Sequence, residues 1–383
     1  MNFLFAQITT AFLVFLFPIA VAAQGNISGT ITDVVGEPVS GVEVRLEGGS
    51  TPLSSVTNAA GNYAFPNVLN GDYTIIPSVP VDCGAGCITP ADRCLMLEWV
   101  NNGSPLSPLQ VLAGDVNGSG SLSAIDGVDL GDYLAGKQSL PDPCFRFLPK
   151  DYVFLDPDNP WAETLPEAVN INDLTEDVVA DFHGLRLGDI NGCAVPPVAA
   201  PGSLQLGLNA SVSDVQEGEN FCVSVTAEDY TNIAGFQFVL TWEESVGPSG
   251  LTDFVTLPGI FGEGNVTGSA DGNAITVFYQ APQNEPFTLN GPTTLLTLCF
   301  VNFGVPGDDH RFVLSGNGTD VPTAVGPGCG EQRVEGIDGE LVLVIPVFGG
   351  GQPPILECPE SVTVVADQTC LANVNVPAIV TDP

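Results

Sequence analysis

Phe236-Gln237-Phe238-Val239-Leu240-Thr241-Trp242 sets a large apolar side chain at every second position, the period of a strand with one buried face. Similar runs flank it: Leu204-Gln205-Leu206-Gly207-Leu208, Phe221-Cys222-Val223-Ser224-Val225, Ile275-Thr276-Val277-Phe278-Tyr279, Leu295-Leu296-Thr297-Leu298-Cys299-Phe300-Val301 and Leu341-Val342-Leu343-Val344. Several strands separated by turn signals predict a two-sheet sandwich over residues 203–345. Phe236, Phe238, Trp242 and Tyr279 could form a sugar-stacking platform or fill a core; strict alternation favours the core.

Upstream, an apolar run from Ala11 to Val21 ends in Ala20-Val21-Ala22-Ala23, so residues 1–23 read as a secretory signal, though without Lys or Arg near Met1. The run is too short for a comfortable membrane span. No later apolar segment reaches spanning length, so an exported chain of two to four domains with no membrane span is expected. Residues 25–80 alternate apolar and polar positions in short runs such as Val42-Glu43-Val44-Arg45-Leu46 and Tyr73-Thr74-Ile75-Ile76, broken by turn clusters, and predict a small antiparallel sandwich. Gly36-Glu37-Pro38-Val39-Ser40-Gly41-Val42 and Asn58-Ala59-Ala60-Gly61-Asn62-Tyr63-Ala64-Phe65 resemble the carboxypeptidase-regulatory-like family. That resemblance implies a transthyretin-like, non-catalytic, seven-strand sandwich.

Residues 81–194 change character. Asp115-Val116-Asn117-Gly118-Ser119-Gly120-Ser121-Leu122-Ser123-Ala124-Ile125-Asp126 puts oxygen side chains at positions 1, 3, 5, 7, 9 and 12 of a calcium loop, namely Asp115, Asn117, Ser119, Ser121, Ser123 and Asp126. Gly120 falls on the sharp turn at position 6, and Gly127 to Gly136 has helical spacing of apolar residues. One loop feeding one helix, closed by Asp, resembles the dockerin repeat and implies bound Ca2+. With two carboxylates the loop should bind weakly, near the ~10⁻⁴–10⁻³ M range of extracellular modules. The earlier stretch aligns Val81, Cys83, Ala85 and Gly86 with positions 1, 3, 5 and 6 and Asp92 with 12, before a helix at Arg93 to Val100, like a duplicate stripped of its ligands. Asp189 and Asn191 look like the first half of another loop, but Cys193 takes the third ligand's place and no helix follows. The stretch from Cys144 to Gly192 resembles the extended dockerin-like region of multidomain secreted proteins of the Bacteroidetes.

A stiff proline-rich linker is expected at 195–202. Beyond it, Glu217-Gly218-Glu219, Ile233-Ala234-Gly235-Phe236-Gln237-Phe238 and Leu295 to Phe300, in that order, resemble the cohesin-like jelly roll, whose superfamily includes carbohydrate-binding modules. A glycine hinge at 346–353 precedes residues 354–383, where Glu357-Cys358-Pro359 and Thr369-Cys370-Leu371 resemble the start of a hyalin repeat, an immunoglobulin-like adhesive module. About a third of that module is present, so a longer parent protein is expected.

The fold class is therefore mainly β and multidomain: a small transthyretin-like sandwich, a small helical dockerin-like calcium region, a cohesin-like jelly-roll sandwich and a truncated immunoglobulin-like module. A formal charge of −37, from two Lys and six Arg against 45 acids, disfavours nucleic acid and anionic membranes. The acids suit calcium, solubility in salt, or both. Ten cysteines follow the predicted signal and fit disulfides in an oxidising compartment, with Cys222–Cys299 and Cys358–Cys370 the expected pairs. With two histidines and no paired C-x-x-C motifs, zinc is disfavoured, and Cys83, Cys87 and Cys94 read as disulfide partners. No G-x-S-x-G or H-E-x-x-H signature occurs and no catalytic residue is assigned. The sequence points to a secreted, non-catalytic module for extracellular binding, assembly or adhesion. Its expected partner is a protein module or a polysaccharide, and a dockerin–cohesin type contact is possible. The alternative is the non-catalytic front of a secreted polysaccharide-degrading enzyme.

Overall fold

The computed structural model describes residues 24–79, 87–192, 203–243, 251–256, 263–269, 272–316, 323–334 and 341–348, with the short strands Ile355–Glu357 and Ile379–Thr381. The signal segment, the 195–202 linker, the Val81 to Gly86 half-loop, Cys193 and the Cys358–Cys370 pair lie outside the described residues. The chain is mainly β and multidomain.

The first sandwich opens with β1 (Gln24–Thr32), β2 (Glu43–Glu47), β3 (Leu53–Val56), β4 (Asn62–Leu69) and β5 (Tyr73–Ser78). Three helices follow: α1 (Pro90–Asn102), α2 (Pro108–Gly114) and α3 (Ala124–Leu134). Each starts at a Ser or Thr N-cap completed by a capping box: Thr89 with Asp92, Ser107 with Gln110 and Ser123 with Asp126. Four more strands come next, β6 (Phe145–Pro149), β7 (Val169–Ile171), β8 (Val178–Val179) and β9 (Phe182–Arg186).

Those four strands return to the first sandwich. One sheet runs β4-β1-β9-β6 with β8 also on β1, and the other runs β3-β2-β5-β7. The structure thus differs from a division at residue 81: α1 to α3 are an insertion into a sandwich completed by residues 145–186. Strands of two to five residues, two of them joining β1 in parallel, carry too little alternation to be read from sequence. Gly29 permits that pairing, because a Cβ there would sit 1.8 Å from the Ala180 carbonyl oxygen and 2.8 Å from the Tyr63 ring. Gly29→Ala should destabilise this sandwich by about 1–3 kcal/mol, through overpacking against backbone; a denaturant midpoint equal to wild type would contradict it.

The second sandwich comprises β10 (Ser203–Ala210), β11 (Val215–Gln216), β12 (Asn220–Thr231), β13 (Gly235–Trp242), β14 (Leu251–Thr256), β15 (Val266–Gly268), β16 (Ala274–Gln280), β17 (Thr293–Val301), β18 (Asp309–Ser315), β19 (Thr323–Val325), β20 (Glu331–Arg333) and β21 (Leu341–Phe348). Its sheets run β10-β12-β17-β14 and β11-β21-β18-β13-β16-β15, with β19 and β20 continuing beside β13. Phe236, Phe238, Trp242 and Tyr279 are buried among Phe221, Phe300 and Phe312, so they are core and form no sugar platform. Cys222 pairs with Cys299 across β12 and β17, in register, and the two form the expected disulfide.

Candidate metal centre

The twelve-residue loop folds around its two carboxylates. Asp115 and Asp126 are buried, although eight of the twelve loop positions are polar or glycine. Asp115 Oδ1 and Oδ2 accept from the Ser119 and Gly120 amides, each at 2.9 Å. Asp126 Oδ2 accepts from the Ser123 amide at 2.9 Å and the Ser123 hydroxyl at 3.0 Å, while the Asn117 amide approaches Oδ1 at 3.4 Å. Burial pushes the Asp126 carboxyl above its usual range against these donors, and the Asp115 carboxylate adds to the push. The Asn117, Ser119 and Ser121 side chains cluster with them: Ser119 Oγ lies 3.2 Å from Ser121 Oγ, and Asn117 Oδ1 accepts from the Ser119 amide. Carboxylate, amide and hydroxyl oxygens gathered in one loop are the donor set that a hard cation takes. Among the described residues no three His, Cys, Asp or Glu side chains converge as a metal site.

A second loop of the same design is assembled from two distant segments. Gly188-Asp189-Ile190-Asn191-Gly192 repeats Gly114-Asp115-Val116-Asn117-Gly118, and Ile88-Thr89-Pro90-Ala91-Asp92 repeats the Leu122-Ser123-Ala124-Ile125-Asp126 pattern. The fold brings them together at the start of α1. Asp92 Oδ2 accepts from the Thr89 amide at 2.8 Å and the Thr89 hydroxyl at 3.3 Å, matching Ser123 on Asp126. Asp92 Oδ1 accepts from the Ile190 and Asn191 amides at 2.8 and 3.1 Å. Val116 and Ile190, at position 2, and Leu122 and Ile88, at position 8, all enter the same helical core. Gly118 and Gly192 both take a left-handed backbone, with φ of 68° and 82°.

Asp189 and Asn191 therefore do lead to a helix, but one that precedes them in the chain, and Asp92 is closed by residues 189–191 in place of a continuous upstream loop. Asp92 is fully buried and its carboxyl is pushed up to about 6, by burial against four hydrogen bonds. Asp189, 2% exposed, is pushed up to about 8 by burial, then by the Asp92 and Asp33 carboxylates, against Gly192 and Arg186.

The helices rest on the second sandwich. A disulfide joins Cys94 of α1 to Cys329, and Cys87 and Cys144 are disulfide-bonded as well. The Gln237 side-chain amide on β13 donates to the Leu134 carbonyl, Arg93 Nη1 donates to Gln280 Oε1, and Asn284 Nδ2 donates to Glu98 Oε1 at 3.1 Å. Phe278 of β16 is buried with the helical core. None of Cys94, Arg93 and Gln237 carried a local sequence signal for this contact; their partners lie 235, 187 and 103 residues away.

Residues 26–80 match the carboxypeptidase regulatory-like domain family. No curated protein sequence matches the chain. Among solved structures, the chain is similar to the cohesin module of a family 33 glycoside hydrolase from Clostridium perfringens, at 7% identity over 39% of this chain and 98% of that one, with a TM-score of 0.29. It is also similar to a type I cohesin–dockerin complex from Clostridium thermocellum, at 11% identity over 39% of this chain and 100% of the matched one, with a TM-score of 0.29. The major pilin SpaD of Corynebacterium diphtheriae aligns at 11% identity over 83% of this chain and 65% of the pilin, with a TM-score of 0.26. Likeness at this level assigns no function.

Proposed function

We propose that the chain is a secreted, non-catalytic module for extracellular binding and assembly whose helical region is held rigid by calcium. What carries this reading is the pair of D-x-N-G turns, each closed on a buried capping-box aspartate at the start of a helix. Asp115, Asn117, Ser119, Ser121, Ser123 and Asp126 would hold one ion. Asp189, Asn191, Thr89 and Asp92 offer the same oxygen types at positions 1, 3, 9 and 12 for a second. The disulfides Cys94–Cys329 and Cys222–Cys299 support an oxidising, extracellular setting. The helical region seated on β13 and β16 is a dockerin–cohesin type contact made within one chain. A further partner would be an extracellular protein module or a polysaccharide, and the charge of −37 favours neutral or basic surfaces over acidic ones.

Calorimetric titration of the disulfide-bonded protein tests the ion, with an expected Kd of ~10⁻⁴–10⁻³ M. At tenfold over Kd, a ligand bound only by the folded state adds about 1.4 kcal/mol per site. Asp115→Ala with Asp126→Ala should remove the intact loop's share of the calcium-induced melting shift, and adding Asp189→Ala should remove the rest. An undiminished shift in the double variant would sink the loop assignment. Release of reducing sugar from any polysaccharide by this chain would replace the non-catalytic reading with a hydrolytic one.

A further inference from the structure

The first sandwich has a free strand edge. β6 ends the sheet β4-β1-β9-β6 and, among the described residues, pairs with β9 alone. The Leu187 amide donates to the Cys144 carbonyl at 2.8 Å and the Lys150 amide to the Asp181 carbonyl at 2.9 Å, at the two ends of one antiparallel register. Even-numbered residues of β6 therefore exchange hydrogen bonds with β9, and the N–H and C=O groups of Phe145 and Phe147 point to the free edge. Nothing among the described residues bonds to those groups. A row of unpaired main-chain groups is a template for another strand.

Each face of that edge carries a recess. On the core side the Phe145 and Phe147 rings stack, with centroids 6.0 Å apart, and with Ile76 and Val79 they line a cleft of about 210 Å³ that the exposed Asp142 and Glu167 border. Cavities of ~150 Å³ hold benzene, so the cleft admits one apolar side chain. Arg146 points to the opposite face by alternation. There Trp161, Leu165, Glu163 and Glu167 form with it a shallow recess of about 440 Å³. The Arg146 guanidinium lies 3.7 Å from Glu167, which leaves the Glu163 charge and the Trp161 ring for a second cation. Glu163 Oε1 also accepts from the Leu155 amide at 2.9 Å, and beside it Val153 and Leu155 stand 84% and 79% exposed, apolar surface of the kind a partner covers.

We propose that β6 takes up one strand of a partner protein, an extended segment in which an apolar residue neighbours Lys or Arg. The main chain of that segment bonds to Phe145 and Phe147, while successive side chains enter the cleft and the recess in turn, which sets the apolar–basic alternation. The partner is another protein rather than a second copy, because this chain holds only two Lys and six Arg in 383 residues and offers few such segments. The inference rests on the proposed binding role and does not involve calcium.

The test measures fluorescence anisotropy of a labelled short peptide alternating valine and lysine, added to the whole disulfide-bonded protein in chelator. N-methylation of the valines or of the lysines should abolish binding in one case and spare it in the other, because alternate amides of a strand face opposite edges. Glu167→Lys, at an exposed ion pair whose loss costs the fold little, should weaken the peptide about fivefold. Equal binding of the two methylated peptides would overturn the proposal, since attraction of lysine to an acidic chain needs no strand. Wild-type affinity in Glu167→Lys would overturn it as well. So would absence of binding at ~1 mM peptide, or binding of a neutral glucan in the peptide's place. The non-catalytic reading stands or falls separately, on the release of reducing sugar.

Discussion

Asp92→Ala is expected to destabilise the helical region by about 1–3 kcal/mol, the cost of leaving buried hydrogen-bond donors without an acceptor. Asp92 is completely buried and accepts hydrogen bonds from Thr89 N, Thr89 Oγ1, Ile190 N and Asn191 N. Alanine leaves the Ile190 amide in a dry environment without an acceptor and cuts the tie between residues 189–192 and α1. Asp92→Asn keeps one acceptor oxygen for Ile190 and Asn191 but turns an amide group toward Thr89, so it should cost less than alanine. Denaturant titration of both variants, with intact disulfides and in chelator, checks the order.

The same carboxylates should give the metal-free protein an unusual pH dependence. In the unfolded chain an aspartate titrates near ~4, whereas the fold pushes Asp92 up to about 6 and Asp189 up to about 8. Between those values the folded state holds more protons than the unfolded state, so stability must fall as pH rises. The contribution is fully present below about pH 4 and is lost as pH climbs through 6 and then 8. On the proposed reading calcium would take the deprotonated sites, and adding it should flatten or reverse that slope. Melting temperatures between pH 5 and 8 in chelator that rise instead of falling would show that these two groups do not govern the region.

How far the sequence reveals this molecule depends on the span of each interaction. Phe236 to Trp242 states its own burial, because alternation within one strand is local, and the structure places those aromatics in the core. The Asp115 loop and α3 are contiguous, so the residues that would share an ion were visible together. Cys222 and Cys299 could be paired because both sit on strongly patterned strands. Residues 145–186 carry no local sign of belonging to the first sandwich, because β7 and β8 have only three and two residues and find their partners across an insertion. The spliced loop was legible in its halves alone. Asp92 reads as position 12, and Asp189 with Asn191 as the first half of a loop, yet 98 residues separate Asp92 from Ile190. The repeated Gly-Asp-x-Asn-Gly phrase was the available signal, but which helix it would cap depends on β9 returning the chain to the first sandwich beside α2, where the Gly188 amide bonds to the Ala113 carbonyl.

Removing Cys94–Cys329 should weaken the seat of the helical region by about 2–4 kcal/mol, the usual contribution of a native disulfide, with the upper end favoured by the long loop it closes. The two cysteines are 235 residues apart, and no other described disulfide joins the helices to the second sandwich. Alanine is the replacement of choice at both positions, since a serine hydroxyl buried beside Ala91 and Val325 would need a partner of its own. In the intact protein, Gln237, Arg93 and Asn284 share bonds across the seat, so the helices and second sandwich should unfold together in calorimetry. In the double-alanine variant the helical region should melt first, as a separate transition, while the sandwich keeps its own temperature through its aromatic core and Cys222–Cys299. Calcium should then move only the earlier transition, because both loops lie in the helical part. A variant that still melts in a single step at the wild-type temperature would mean that packing and hydrogen bonds hold the seat without the covalent link, and that the disulfide acts only after the two parts have met.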